Sequence, residues 1–346
     1  MTISSLFLAA RDGDEATLTS LIASGEDANR RESSGRCALH VASRAGHTGT
    51  VQLLLSHGAE VDAHYASGTT SLMLACLEGH AAVAEKLLEA GAQPNATTHD
   101  GRTALMAAAQ RGGRELAAIL LRAGADAAAT RPDGSTALQY AAQHGATDTI
   151  ESLLGAGAAV DAARADGRTA LLAACQNGHA AAGIQLLAAG ADATAACGEH
   201  TALHLASDGY ASAAADAVSM GALVLALLKA KAPIEAKARG ATPLARAAQL
   251  GATEVARALV AGGAVVDAVD EDLYMPLMLA SANGHRDTAA LLLEAGADAS
   301  YRRGHDTAFS LARDHKHEDV LALLRGVEEE HGRRMSTTAQ AVRGSI

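Results

Sequence analysis

The chain has 346 residues, no tryptophan, two phenylalanines, five tyrosines and a formal net charge of −11. That length would suit two or three ordinary globular domains, but a large single core would recruit more aromatics, which bury the most area per residue; many thin layers of small side chains need few. The acidic balance argues against a general nucleic-acid or anionic-membrane binder, and no apolar run of about 18 residues marks a transmembrane helix. The start, "MTISSLFLAARDGDEA", lacks the basic flank of a signal peptide. Cys37, Cys76, Cys175 and Cys197 form no CxxC pair, which points to reduced thiols in a cytosol-like compartment.

In chain order, the predicted elements repeat. Leu6, Leu39, Leu72, Leu105, Leu138 and Leu171 recur every 33 residues, and Leu203, Leu244, Leu277 and Phe309 follow at 32, 41, 33 and 32. This spacing counts ten units. Each opens on a turn such as "DGRT" or "DGST", in which Asp can bond nearby backbone and Gly accepts positive φ. A segment "TALxxAA" follows, with Thr placed to cap a short helix. After a Gly-His or similar break comes a second helix with paired leucines (Leu54-Leu55, Leu87-Leu88, Leu120-Leu121), ending at "GAxx", whose glycine suits a left-handed cap. The unit over residues 199–239 is eight residues too long, and Lys231 replaces the capping glycine. We expect longer helices there around a displaced loop carrying Tyr210 and Met220, and the weakest unit of the stack. Such length variation is thermodynamically cheap, and a specificity loop is its functional alternative. The pattern stops near Glu328, so we place one array at residues 1–329 and a flexible tail at 330–346.

The stretches "CALHVASRAGHTGTVQLLLSHGAEVDA" and "DGRTALMAAAQRGGRELAAILLRAGADAAA" resemble the ankyrin-repeat family, and the likeness covers roughly residues 4 to 327. The family's Thr-Pro-Leu-His signature is partly kept: its proline stands at Pro243 and Pro276, its histidine at His40 and His204. The resemblance implies an all-α solenoid of helix–turn–helix units joined by short β-hairpins or turns. Neighbours in such a solenoid stack because no unit buries its apolar stripe alone.

Chemistry is hard to find in this frame. Of the fifteen histidines, His47, His80, His179, His285 and His317 fall on one repeat register, the mark of scaffold residues bonding loop backbone. The "DHKH" cluster at Asp314–His317 has no HExxH or CxxC partner, and "GAGAAV" at Gly155 follows a helix rather than the strand a dinucleotide fingerprint requires. No nucleophile stands in register with a base. We expect no catalytic residue, no cofactor and no metal. "RRMS" before Ser336 resembles a kinase site, and Asn29 and Asn95 occupy a register that family members can hydroxylate; a hairpin asparagine bonding its own turn is the plainer reading of both asparagines.

The resemblance implies protein binding through hairpin tips and the concave face of the first helices. The positions it indicates include Arg36, Arg44, Leu77 and Glu78, and among them we select Arg102, Gln110, Arg111, Gln143, His144, Arg168, Gln176, Asn177, Tyr210 and Tyr274 as the candidate partner-binding residues. This set is basic although the chain is acidic, and Arg matches carboxylate or phosphate in bidentate fashion. Tyr and Arg are enriched at interface hot spots. The expectation is a non-enzymatic, monomeric scaffold or adaptor in the cytoplasm or nucleus, binding a protein with acidic or phosphorylated segments and neither nucleic acid nor membrane. The alternative is a dedicated stoichiometric inhibitor or regulator of one enzyme or transcription factor.

Overall fold

The computed structural model describes residues 5–210 and 216–327. Helices come in pairs: α1 (Ser5–Asp12) and α2 (Glu15–Ala23), α3 (Ala38–Ala45) and α4 (Thr48–Ser56), α5 (Ser71–Glu78) and α6 (Ala81–Glu89), α7 (Ala104–Arg111) and α8 (Arg114–Arg122), α9 (Ala137–Gln143) and α10 (Thr147–Gly155), α11 (Ala170–Gln176) and α12 (Ala180–Ala188). The strand pair β1 (Ala196–Cys197) and β2 (His200–Thr201) follows. Then come α13 (Ala202–Gly209) and α14 (Ala217–Lys229), α15 (Pro243–Leu250) and α16 (Thr253–Ala261), α17 (Pro276–Ala282) and α18 (Arg286–Glu294), α19 (Ala308–Asp314) and a helical stretch over 318–327.

The local causes are those the sequence carries. Thr70, Thr103, Thr136, Thr242 and Thr307 each accept a backbone N–H from the third residue of the first helix, satisfying one of the donors that a helix start leaves open. Glycine turns, Ser34-Gly35 and Asp133-Gly134 among them, close short hairpins, several reduced to single antiparallel bridges such as Arg31 with Cys37 and Thr130 with Thr136.

The described residues up to Ala174, with Ala188–Ala191, form one compact unit; Cys175–Leu187 and the described residues from Asp192 form another. In the first unit, α1, α3, α5, α7 and α9 pack side by side in one layer, and α2, α4, α6, α8 and α10 form the layer behind. Leu6, Leu39, Leu72, Leu105 and Leu138 of the first helices and Leu54, Leu87, Leu120 and Leu153 of the second are all buried. Ala42, Ala75, Ala108 and Ala141 are wholly buried at one register of the first helices. Side chains this small let neighbouring helices close tightly, which accounts for a core with so few aromatics. In the second unit, α13, α15, α17 and α19 form one layer and α14, α16 and α18 the other.

The enlarged repeat corrects part of its expectation. Helix α14 is long, at 13 residues, but Met220 is fully buried inside it rather than carried on a loop, and Tyr210 caps the end of α13. An alanine-rich segment can continue a helix as readily as leave it, and here burial of Met220, Leu223, Val224 and Leu227 decides for helix. Lys231 does stand in the left-handed cap, at φ 67°. The centre of the insertion, 211–215, and the tail with Ser336 lie outside the described residues.

Candidate partner-binding site

The histidines of the repeat registers bond the scaffold. His47, His80, His285 and His317 each lie against the glycine of the preceding repeat, and their Nε2 atoms bond the carbonyls of Arg11, Arg44, Gln249 and Ala282 at 2.8–3.1 Å. His204 is buried: Nδ1 faces Thr201 and Nε2 meets the Ala241 carbonyl at 3.1 Å. His40 occupies the same place: Nδ1 lies 2.9 Å from Cys37 Sγ, while the buried Nε2, on the side of the Ala63 and Thr69 backbone, makes no hydrogen bond. Burial lowers the His40 pKa to about 4 and also depresses that of His204. Burial pushes Cys76 and Cys175 up to about 12, the wrong direction for a nucleophilic thiol. Among the described residues, no three His, Cys, Asp or Glu side chains group to hold a metal ion.

Two inter-repeat devices escaped the sequence reading. Asn29 donates to the Gly58 carbonyl and accepts from Glu60 N–H; Asn95 does the same with Gly124 and Asp126. The two asparagines therefore latch the next repeat's loop instead of bonding their own turn. Their recurrence four residues after a capping glycine was the available signal. The second device is Gln139. Its Oε1 accepts Thr136 N–H while Nε2 donates to the Ala162 and Arg168 carbonyls, reproducing the signature histidine with an amide.

The candidate residues fall into several places. In the first unit Arg102 reaches Gln110 with one nitrogen, while its buried Nε has no hydrogen-bond partner. Arg111 is exposed and lies against Gly79, where a Cβ would come within 3.2 Å of its Nε. It fills the space a histidine takes elsewhere, because the histidine register here holds Gly113. Gln143 and His144 are exposed at the end of α9. Arg168 is half-buried, 3.8 Å from Asp166. In the second unit Gln176 and Asn177 are half-buried at the end of α11. Tyr210 opens onto Thr253, Glu254 and Arg257 of α16 and Leu291 and Glu294 of α18, whereas Tyr274 sits in a hairpin, under Arg303 at 4.1 Å and half-buried. The two tyrosines do not share a surface.

The sequence named some rim residues of a groove but did not show the groove itself. About 830 Å³ of space lies between first helices and hairpins of the first unit, floored by Phe7, Leu8, Val41, Tyr65 and Leu74. Its rim carries Arg36 paired with Glu32 at 2.9 Å and Arg44 paired with Glu78 at 3.2 Å. A smaller cavity of about 120 Å³ shares Tyr65 and Leu74 with it and ends at Arg102. The exposed ion pairs on the rim are weak, so their arginines can exchange one carboxylate for another.

Comparison with known proteins agrees with this architecture. The family model described as ankyrin repeats (3 copies) matches residues 6–98, 90–164, 145–216 and 212–303. An ankyrin repeat-containing protein of Treponema pallidum (strain Nichols) is 42% identical over 89 residues, a match covering 25% of this chain and 30% of that relative. The crystal structure of the human ASB11 ankyrin repeat domain is similar with a TM-score of 0.58 and 30% identity, over 67% of this chain and 99% of the other. With stacked helix pairs, Thr-capped first helices and family matches along most of its length, the chain belongs to the ankyrin-repeat family.

Proposed function

We propose that the chain is a non-enzymatic protein-interaction module of the cytoplasm, a scaffold or adaptor that seats a partner on the hairpin side of its first helices. Ankyrin repeats generally mediate protein–protein interaction, and family membership supports that much directly. The observation that carries the finer reading is the groove of the first unit. An apolar floor from Phe7 to Leu74 runs on to Arg102, with arginines along its edge. An interface of apolar centre and polar rim has this composition, and arginine selects carboxylate or phosphate on the partner. Cys37, Cys76, Cys175 and Cys197 are all free thiols, consistent with a reducing compartment. Gln110, Gln143 and His144 supply the polar contacts between the arginines.

The test is affinity capture from the native lysate with mass spectrometry, comparing wild type with the variant Arg102→Glu, Arg111→Glu, Arg168→Glu, its fold checked by circular dichroism. A partner that binds wild type and is lost from the folded variant supports the reading. Equal capture by both removes these arginines from the interface.

A further inference from the structure

Leu273 stands where other hairpin turns carry glycine. Gly35, Gly68, Gly101, Gly134 and Gly167 hold the same turn position at φ values of 77–84°, and Leu273 takes φ 64°. In this left-handed region an L side chain crowds its own backbone, and a bulky residue there is an outlier. Burial does not compensate, because Leu273 is 54% exposed. Strain of this kind persists only where its surroundings hold it, and it clusters at functional positions.

The next hairpin makes the substitution sterically possible. At Gly35, Gly68, Gly101 and Gly134 a Cβ would lie 2.8–3.2 Å from the following hairpin. The hairpin after Leu273 is shorter: it bridges Arg303 to Asp306, three residues on, where those at Arg31–Cys37 and His64–Thr70 bridge six. Gly198, in the turn before the short hairpin Ala238–Ala241, shows the same opening: a Cβ there would meet nothing within 4 Å. A short following hairpin thus leaves room for a side chain at this turn position, and Leu273 stays exposed there.

The tip is also held firmly. Tyr301 donates its hydroxyl to the Leu273 carbonyl at 3.3 Å, and Arg303 donates to the Asp272 carbonyl. The Arg303 guanidinium covers the Tyr274 ring and donates to its hydroxyl at 2.7 Å. Arg303 is itself paired with Asp306. Glu271 and Asp272, immediately before Leu273, are exposed and carry no ion pair among the described residues; Arg302 is exposed on the neighbouring hairpin. The result is an exposed apolar side chain on a backbone held by hydrogen bonds, beside two carboxylates without ion pairs among the described residues.

We infer that Leu273 is displayed to insert into an apolar recess, flanked by Lys or Arg side chains, on a partner protein. The inference rests on the reading that this chain binds proteins and adds a second point of attachment, on the hairpins of the second unit. A backbone held before binding favours affinity, since the tip has less freedom left to lose. The carboxylates set the sign of the partner's rim.

The test places a benzophenone amino acid at position 302 of the full chain, irradiates it in the native lysate and maps the crosslinked peptide. The expected adduct is one protein, crosslinked within a segment containing Lys or Arg. Its yield falls at least tenfold when Leu273→Asn is added. Asparagine tolerates the left-handed conformation, so that change should move Tm by no more than about 3 °C. An adduct on an acidic segment, a yield unchanged by Leu273→Asn, or a large drop in Tm that makes Leu273 a packing residue would overturn the inference. No adduct at position 302 while wild type still captures a partner through the Arg102 surface would sink this proposal alone. No capture by either route would sink both.

Discussion

His40 and Gln139 meet one structural demand with different chemistry. Each bonds the start of its own helix with one side-chain atom; the other atom of Gln139 donates to two carbonyls of the next repeat, whereas His40 Nε2 is buried on that side without a hydrogen bond. The histidine can titrate and the amide cannot. Burial holds the His40 pKa near 4, below its ordinary 6.5. Between those values the unfolded chain binds the proton and the folded chain does not. The stability contributed by neutral His40 is therefore fully present above pH 6.5 and is lost as pH falls toward 4, by up to about 3 kcal/mol. His40→Gln should keep stability at pH 7 to within about 1 kcal/mol and flatten the acid-side loss in urea titrations run across that window. An unchanged pH profile would show that other groups govern acid sensitivity; His204, depressed in the same direction, is the first of them.

Among the elements, α14 departs furthest from the pattern. Just past its cap Ala230 comes Lys231, left-handed at φ 67° where Gly58, Gly91 and Gly124 stand in other repeats. Lys231→Gly should stabilise the second unit by up to about 1 kcal/mol by relieving Cβ crowding, less the extra entropy glycine gives the unfolded chain. Denaturant midpoints decide it, and a lower midpoint would mean that the lysine side chain contributes contacts worth more than the strain. This strain was legible from sequence, because the capping register repeats often enough for one exception to stand out. The threonine caps were legible for the same reason. The course of α14 was not, since alanine-rich sequence fits a helix or a loosened loop equally well until the burial of Met220 and Leu223 is known. Asn29 and Asn95 were visible as a register, but their partners lie in the next repeat, at 29 and 31 residues' remove.

For the whole molecule, net charge is a poor guide to binding. The chain carries −11, yet Arg36, Arg44 and Arg102 border the groove of the first unit. Periodicity made the repeat architecture readable because each layer answers only to its neighbours. The groove was not readable in the same way: its floor combines Phe7, Val41, Tyr65 and Leu74 from three successive repeats, and none of these is unusual within its own. The same limit separated Tyr210 from Tyr274, which look alike in sequence and fall on different surfaces.

The central claim is that a protein partner occupies the hairpin side of the first helices, and hydrogen–deuterium exchange tests it most directly. Exchange would be followed on the full chain with and without the partner recovered by affinity capture. The account predicts protection over residues 34–45, 65–78 and 98–111, with α4, α6 and α8 unchanged. Protection confined to those second helices, or none in the first unit, would contradict it.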